Sequence, residues 1–274
     1  MSRPKRSNAL QMVKAYFNRA NPHLLPILRS GCLMGIFEKA YSCQGRGLKS
    51  REQYLLNMVF AIGCSHGLIN EQGEMITIEG KAKSKTSPEE YYTRACVHFD
   101  NCVRPGSGSL EALQALLLLA SYSLLRPVLP GAWHIIGMAM RIAVDLGLHC
   151  EDNTPDCGVS GNAQHFQSGC ASNGENSRKE QKAWTDRELG RRSWWCTCSL
   201  DRLVSISAGR PFSISDHDIT TPLPSLQEEE MDAESDLITP VKLPGRQQGY
   251  QDIAHHFIKL RLLQSDILRH YAES

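Results

Sequence analysis

The sequence predicts an all-α fold, a multi-helix domain of packed antiparallel helices with long disordered insertions. Three observations carry that reading. Apolar residues recur at helical spacing in most ordered stretches. Nothing reads as a convincing strand: the alternation from Glu74 to Gly80 is short and isolated, and is assigned to a loop. The remaining stretches are polar and lack an apolar period, the composition of segments that bury too little to offset the entropy of ordering. At 274 residues the chain is long enough to bury a substantial core.

The elements follow in chain order. Residues 1–14 are basic and then amphipathic, and are expected as a basic N-terminal tail leading into a main unit over 15–224. Within that unit, Arg51 to His66 reads as a helix. A second helix follows Ser87, a suitable N-cap, with Pro88 at the first helical position and Glu89 and Glu90 in the first turn. A third, Leu110 to Leu125, is opened by Ser109, and Pro127 and Pro130 then break the chain. In the fourth, "GAWHIIGMAMRIAVDLGL", His134, Met138, Arg141 and Asp145 form one narrow polar stripe on an otherwise apolar helix, which is therefore packed on most sides. Arg141 and Asp145 stand at the spacing of an i,i+4 ion pair, and Gly147 suits the C-terminal cap. Residues 150–182 read as a disordered insertion. Thr185 and Glu188 then fit a capping box that opens a fifth helix, Glu188 can pair with Arg192, and Gly209 closes the helix. Residues 225–249 read as a flexible acidic linker, and 250–274 as a C-terminal amphipathic helix.

Composition narrows the function classes. The net charge is +1, so the chain as a whole has no electrostatic footprint for nucleic acid. The basic cluster Arg3 to Arg6 is short, the size of a weak nuclear import signal. The most apolar segment, Leu110 to Leu125, is shorter than the ~20 residues that span a bilayer and contains Glu111 and Gln114, so no membrane partner is expected. Ten cysteines without a secretory leader point to reduced thiols. There is no C-x-x-C, and Cys196 and Cys198 diverge on a helix, so no zinc or other cofactor is expected on these residues. His255 and His256 diverge in the same way. No nucleophile elbow, zincin, phosphate-loop or dinucleotide motif is present, and "GSGSLE" follows no strand, so it reads as helix capping and the chain as no enzyme.

The stretch with the most chemistry is "RRSWWCTCSLDRLVSISAGRP", Arg191 to Pro211. On a helix, Leu189, Cys196, Leu200, Leu203 and Val204 share one face. Trp194, Cys198, Asp201 and Ser205 share a second, and Trp195, Arg202 and Ile206 a third. Little is left for water. Asp201 and Arg202 point about 100° apart and are expected to bind different partners. They read as structural charges tying helices together or as the lining of an effector pocket. A catalytic acid pair fits poorly, because no second acidic residue sits at a suitable helical offset.

Arg191 to Pro224 strongly resembles the signature of the regulatory middle domain of fungal binuclear zinc-cluster transcription factors, of the xylanolytic-activator type. The residues that carry the likeness are Arg191 and Arg192, Trp194 and Trp195, Asp201 and Arg202, Ser205, then Gly209, Arg210 and Pro211, then Asp216 and Asp218, and Leu223 with Pro224. Further pieces follow the same order: "AYFNRANPHLLPIL" resembles the domain's entry motif, "YLLNMVFAIG" its first core helix, and "SLEALQALLLLASYSLL" with "AWHIIGMAMRIAVDLGLH" its central helix pair.

The resemblance implies an all-helical regulatory domain acting in the nucleus in transcription regulation. It implies a homo- or hetero-dimer with related factors, and a possible small-molecule effector facing Arg191 to Pro211. It places zinc and DNA contact in a separate N-terminal six-cysteine module, and that cysteine pattern is absent from these residues. The chain therefore corresponds to a fragment, a truncated gene model or a natural factor without its own DNA reader. The alternative function is a stand-alone protein-interaction module or an inhibitory partner of full-length relatives.

Overall fold

The computed structural model describes residues 3–20, 27–42, 47–66, 68–69, 75–76, 87–104, 110–151, 173–225 and 250–273. Eight α-helices account for nearly all of them: α1 (Arg6–Ala15), α2 (Ser30–Ser42), α3 (Ser50–Ser65), α4 (Pro88–Val103), α5 (Leu110–Leu125), α6 (Ala132–Asp145), α7 (Asn173–Ala208) and α8 (Tyr250–Glu273). A π-helical turn, Tyr16–Ala20, follows α1. The all-α expectation holds with one small exception: β1 (Leu68–Ile69) and β2 (Met75–Ile76) pair antiparallel, Leu68 opposite Ile76, where a loop was expected.

The core is built around α3 and α5, because these two helices are apolar on nearly every side. From Tyr54 to Cys64 every residue of α3 except Asn57 is buried, and so is Ala112 to Ser123 of α5. Buried polar groups there find partners: Tyr54 Oη donates to the Ala115 carbonyl at 2.7 Å, and Gln114 Nε2 to the Ile27 carbonyl at 2.7 Å. Helix α4 packs along α3, α6 along α5, and α7 along α6, so the chain winds from one face of the core to the other. The caps of α4 and α6 match their sequence signals. Ser87 Oγ accepts from the Glu90 amide at 3.4 Å with Pro88 opening the helix, and Gly147 takes φ 70° after α6 while the Leu148 amide bonds the Ala143 carbonyl at 3.0 Å.

Residues 1–14 are not a free tail. Ala9, Met12 and Val13 of α1 lie at i, i+3 and i+4 and are buried against α3. The basic cluster is used to tether them: Arg3 donates to the Ala40 carbonyl at 2.5 Å, and Arg6 pairs with Glu38 at 2.6 Å. Helix α2, which the sequence reading omitted, carries Leu33, Met34, Phe37 and Ala40 on its buried face. Part of the insertion expected over 150–182 is helical. Residues 173–182 lie within α7, since no breaker interrupts the run from Ser177 into Leu189. Thr185 is thus interior to a helix and not at its start. Residues 152–172 and 226–249, where disorder was expected, lie outside the described residues.

The contact between α1 and α3 requires a glycine. A Cβ on Gly63 would sit 2.1 Å from the Met12 carbonyl oxygen, a backbone atom that cannot step aside. Gly63→Ala gains up to ~1 kcal/mol of helix propensity, yet is expected to lose about 1–3 kcal/mol net by forcing α1 off α3. Urea unfolding measures this; a variant as stable as the parent contradicts the close approach.

Candidate functional site

The residues after α7 turn at Gly209 and run back along the helix that precedes them. Gly209 takes φ 61°, and the Arg210 amide bonds the Ser205 carbonyl at 2.9 Å, the helix ending expected there. The returning segment, Arg210 to Ser225, has no sheet partner and is held by α7 side chains in reverse order. Asp201 accepts from Ser213 twice, from Oγ at 2.6 Å and from the amide at 3.1 Å. Arg202 donates to the Ile214 carbonyl at 3.0 Å and to Asp216 at 2.6 Å. Trp195 Nε1 donates to the Pro222 carbonyl at 2.8 Å. Glu188 accepts from the Ser225 amide at 2.9 Å.

The segment also fastens to α6 and α8. The Thr220 and Thr221 amides donate to the His149 carbonyl at 2.9 and 3.3 Å, and Thr221 Oγ1 to the Leu148 carbonyl at 2.5 Å. Ser265 of α8 donates its hydroxyl to Asp216, and His255 Nε2 lies 2.8 Å from the Pro224 carbonyl. Asp216 thus joins α7 to α8. Arg210 lies 4.0 Å over the Trp133 ring at the start of α6, a cation–π contact.

Asp201 and Arg202 do not bind different partners as their helical angles suggested. Arg202 reaches back to Asp201 at 3.0 Å, because its long side chain spans the angular gap, and both then grip the same loop. The guanidinium is completely buried, with the Phe212 ring 4.7 Å from its carbon. A charge in that position is tolerable only because it is multiply bonded to two carboxylates and a carbonyl. Burial pushes the Asp216 carboxyl up, but the bonds from Ser265 and Arg202 outweigh it and hold it below its ordinary value.

Asp201, Arg202, Ser213, the Ile214 carbonyl and Asp216 form a ring of bonds, and the other candidate residues fall into place around it. Arg191 makes two 2.6 Å bonds to Glu151 just beyond α6, and Arg192 pairs with Glu188 at 3.2 Å as expected. Trp194 and Ser205 are fully buried, and the Trp194 ring lies 6.0 Å from that of His149. Gly209, Arg210 and Pro211 are exposed. The sequence reading missed Ser213, Glu151 and Ser265; their pairings cross loops or join separate helices and leave no local signal. Burial pushes the Cys196 and Cys198 thiols up to about 12, so both stay protonated at neutral pH. Among the described residues no group of three or more His, Cys, Asp or Glu is placed to hold a metal ion.

Beside the ring a groove of about 670 Å³ runs along α6, lined by Trp133, His134, Gly137, Met138, Met140, Arg141, Val144 and Asp145, with Pro130 and Ser213 at its edges. The stripe His134, Met138, Arg141 and Asp145 is exposed, as its spacing implied. The Arg141–Asp145 ion pair does not form: neither side chain has an ion-pair or hydrogen-bond partner among the described residues.

Removing one partner from the ring leaves a buried charge unpaired. Arg202→Ala is expected to cost ~3–5 kcal/mol, and Arg202→Lys to rescue little because it lacks the fork. Asp216 titrates lower folded than unfolded, so its stabilisation is complete above about pH 4 and is lost as the pH falls through its lowered value. Urea midpoints from pH 7 to 3 should therefore fall more steeply for the parent than for Asp216→Asn; equal slopes contradict the pairing.

The chain matches the model of the fungal specific transcription factor domain over residues 13–273, a span that includes α8 and so exceeds the 15–224 expected. It is 38% identical to the positive regulator of purine utilization of Emericella nidulans over 97% of this chain and 27% of that protein. It is 31% identical to pyrimidine pathway regulatory protein 1 of Saccharomyces cerevisiae over 79% of this chain and 20% of that protein. It is 25% identical to protein STB5 of the same yeast over 78% of this chain and 25% of that protein. The chain spans about a quarter of the length of these curated relatives. No solved structure matches. The helices, the returning segment and the ring that holds it thus belong to a member of the fungal specific transcription factor domain family.

Proposed function

We propose that this chain is the regulatory part of a fungal transcription regulator, sensing an effector or a partner in the nucleus and passing the result to a DNA-contacting module outside these residues. The observation that carries the reading is Asp216, bonded at once to Arg202 of α7 and Ser265 of α8. A disturbance of the returning segment is felt by α6, α7 and α8 together, which is what a sensing domain needs and a passive spacer does not. The family match and the regulator names of its relatives support the same direction. Zinc and specific DNA contact are assigned to another module. The only basic cluster at the start spends Arg3 and Arg6 on contacts within the chain, and Arg191 and Arg192 are paired to Glu151 and Glu188.

A second reading, an interaction module that dimerises with relatives or inhibits them, is favoured by α8. Leu260, Leu263, Ile267 and Tyr271 are exposed on the side opposite the docked residues Ala254, Ile258 and Ser265.

The test inserts the chain between a heterologous DNA-binding module and an activation segment in a fungal reporter strain. Output is expected to change several-fold with nutrient supply, and to vanish when the DNA-binding module is deleted. Output that ignores every nutrient condition contradicts the sensing reading, and output without the DNA-binding module contradicts the assignment of DNA contact elsewhere.

A further inference from the structure

We propose that the groove along α6 is a binding site for a small flat organic molecule. Its apolar or aromatic body seats over Gly137, and its polar edge presents an acceptor beside a donor, as a carboxamide does. The floor is open because a side chain is missing: a Cβ on Gly137 would meet nothing within 4 Å. Trp133, Met138, Met140 and Val144 supply apolar walls, and Met is a side chain that adapts to a ligand's outline. At about 670 Å³ the groove lies in the size range of small-molecule sites, which combine apolar lining with a few placed polar groups.

The polar groups select the ligand class. Arg141 and Asp145 stand one helical turn apart at one end of the groove, and neither is engaged by another group among the described residues. Arginine only donates and aspartate only accepts, so the complementary edge offers an acceptor to the first and a donor to the second. A carboxylate satisfies Arg141 and is repelled by Asp145; an amidinium does the reverse. A neutral amide edge satisfies both. The occupant would also touch the ring. Ser213 borders the groove and holds Asp201 through its amide and hydroxyl, while Trp133 carries Arg210 on its ring. Filling the groove therefore stiffens the returning segment, a consequence that rests on the sensing reading above, whereas the site itself does not.

Saturation-transfer NMR on the full chain tests the site with three probes of one shape: benzamide, benzoate and benzamidinium. Benzamide is expected to bind, with the two charged probes roughly fivefold weaker or more, the worth of about one hydrogen bond. Arg141→Gln is expected to weaken benzamide by a similar factor. Gly137→Leu should abolish transfer while leaving the thermal midpoint unchanged or higher, since a Cβ there meets nothing within 4 Å, the rest of the side chain enters the groove, and a helix-interior glycine is replaced. No transfer to benzamide, equal transfer to all three probes, or transfer that survives Gly137→Leu overturns the proposal. Binding is read on the purified chain, so a reporter that never responds counts against the sensing reading and not against this site.

Discussion

The structure around the family signature depends on one buried cation. Arg202 has no exposed surface, and an unpaired guanidinium there would cost several kcal/mol. The chain supplies Asp201 from the same helix, and the Ile214 carbonyl and Asp216 from the segment that returns along it. Since two of the three acceptors arrive only if that segment turns at Gly209 and lies back on α7, satisfying the charge fixes the path of the chain. Once the path is set, Trp195 reaches the Pro222 carbonyl, Glu188 reaches the Ser225 amide, and Ser265 brings α8 onto Asp216. The motif thus reads as a set of instructions for folding back. Each polar residue in it holds a specific backbone or side-chain group further along the chain.

Much of the local structure was legible because its causes are local. Ser87 with Pro88, Gly147 and Gly209 mark helix ends by requirements that no distant contact overrides, a side-chain oxygen for orphan amides and a left-handed turn. The pairing of Glu188 with Arg192 depends on nothing beyond one helical turn. What could not be read depended on where other elements arrive. Helical angles separate Asp201 from Arg202, but the length of the arginine and the return of the loop bring them to one site. The first fourteen residues looked like a tail because they open on the basic run Arg3 to Arg6, and the burial of Met12 and Val13 becomes evident only when Gly63 opens a seat on α3. Glycines 31 and 35 masked the apolar face of α2 in the same way.

The arrangement separates what must be rigid from what is available. Trp194, Cys196, Cys198, Arg202 and Ser205 are buried, while Gly209 to Pro211 are exposed and Arg210 lies over Trp133, a wall of the α6 groove. In the function proposed above, the signature's exposed edge would face the effector, and the buried remainder connects that edge to α7 and α8. This division accounts for the many chemically versatile side chains within one apolar run.

Amide hydrogen exchange on a ring variant tests this account most directly. In the parent chain the amides of Ser213, Thr220, Thr221 and Ser225, all bonded within the described structure, should exchange slowly. Arg202→Met lies on α7, which packs mainly on α5, α6 and α8 and not on α3, so α3 should keep its protection. The account predicts faster exchange across 210–225 and α8 together, with α3 unchanged. Rapid exchange of the returning segment in the parent, or loss confined to 210–225 with α8 still protected, would contradict the claim that one buried arginine holds the segment and its helices in place.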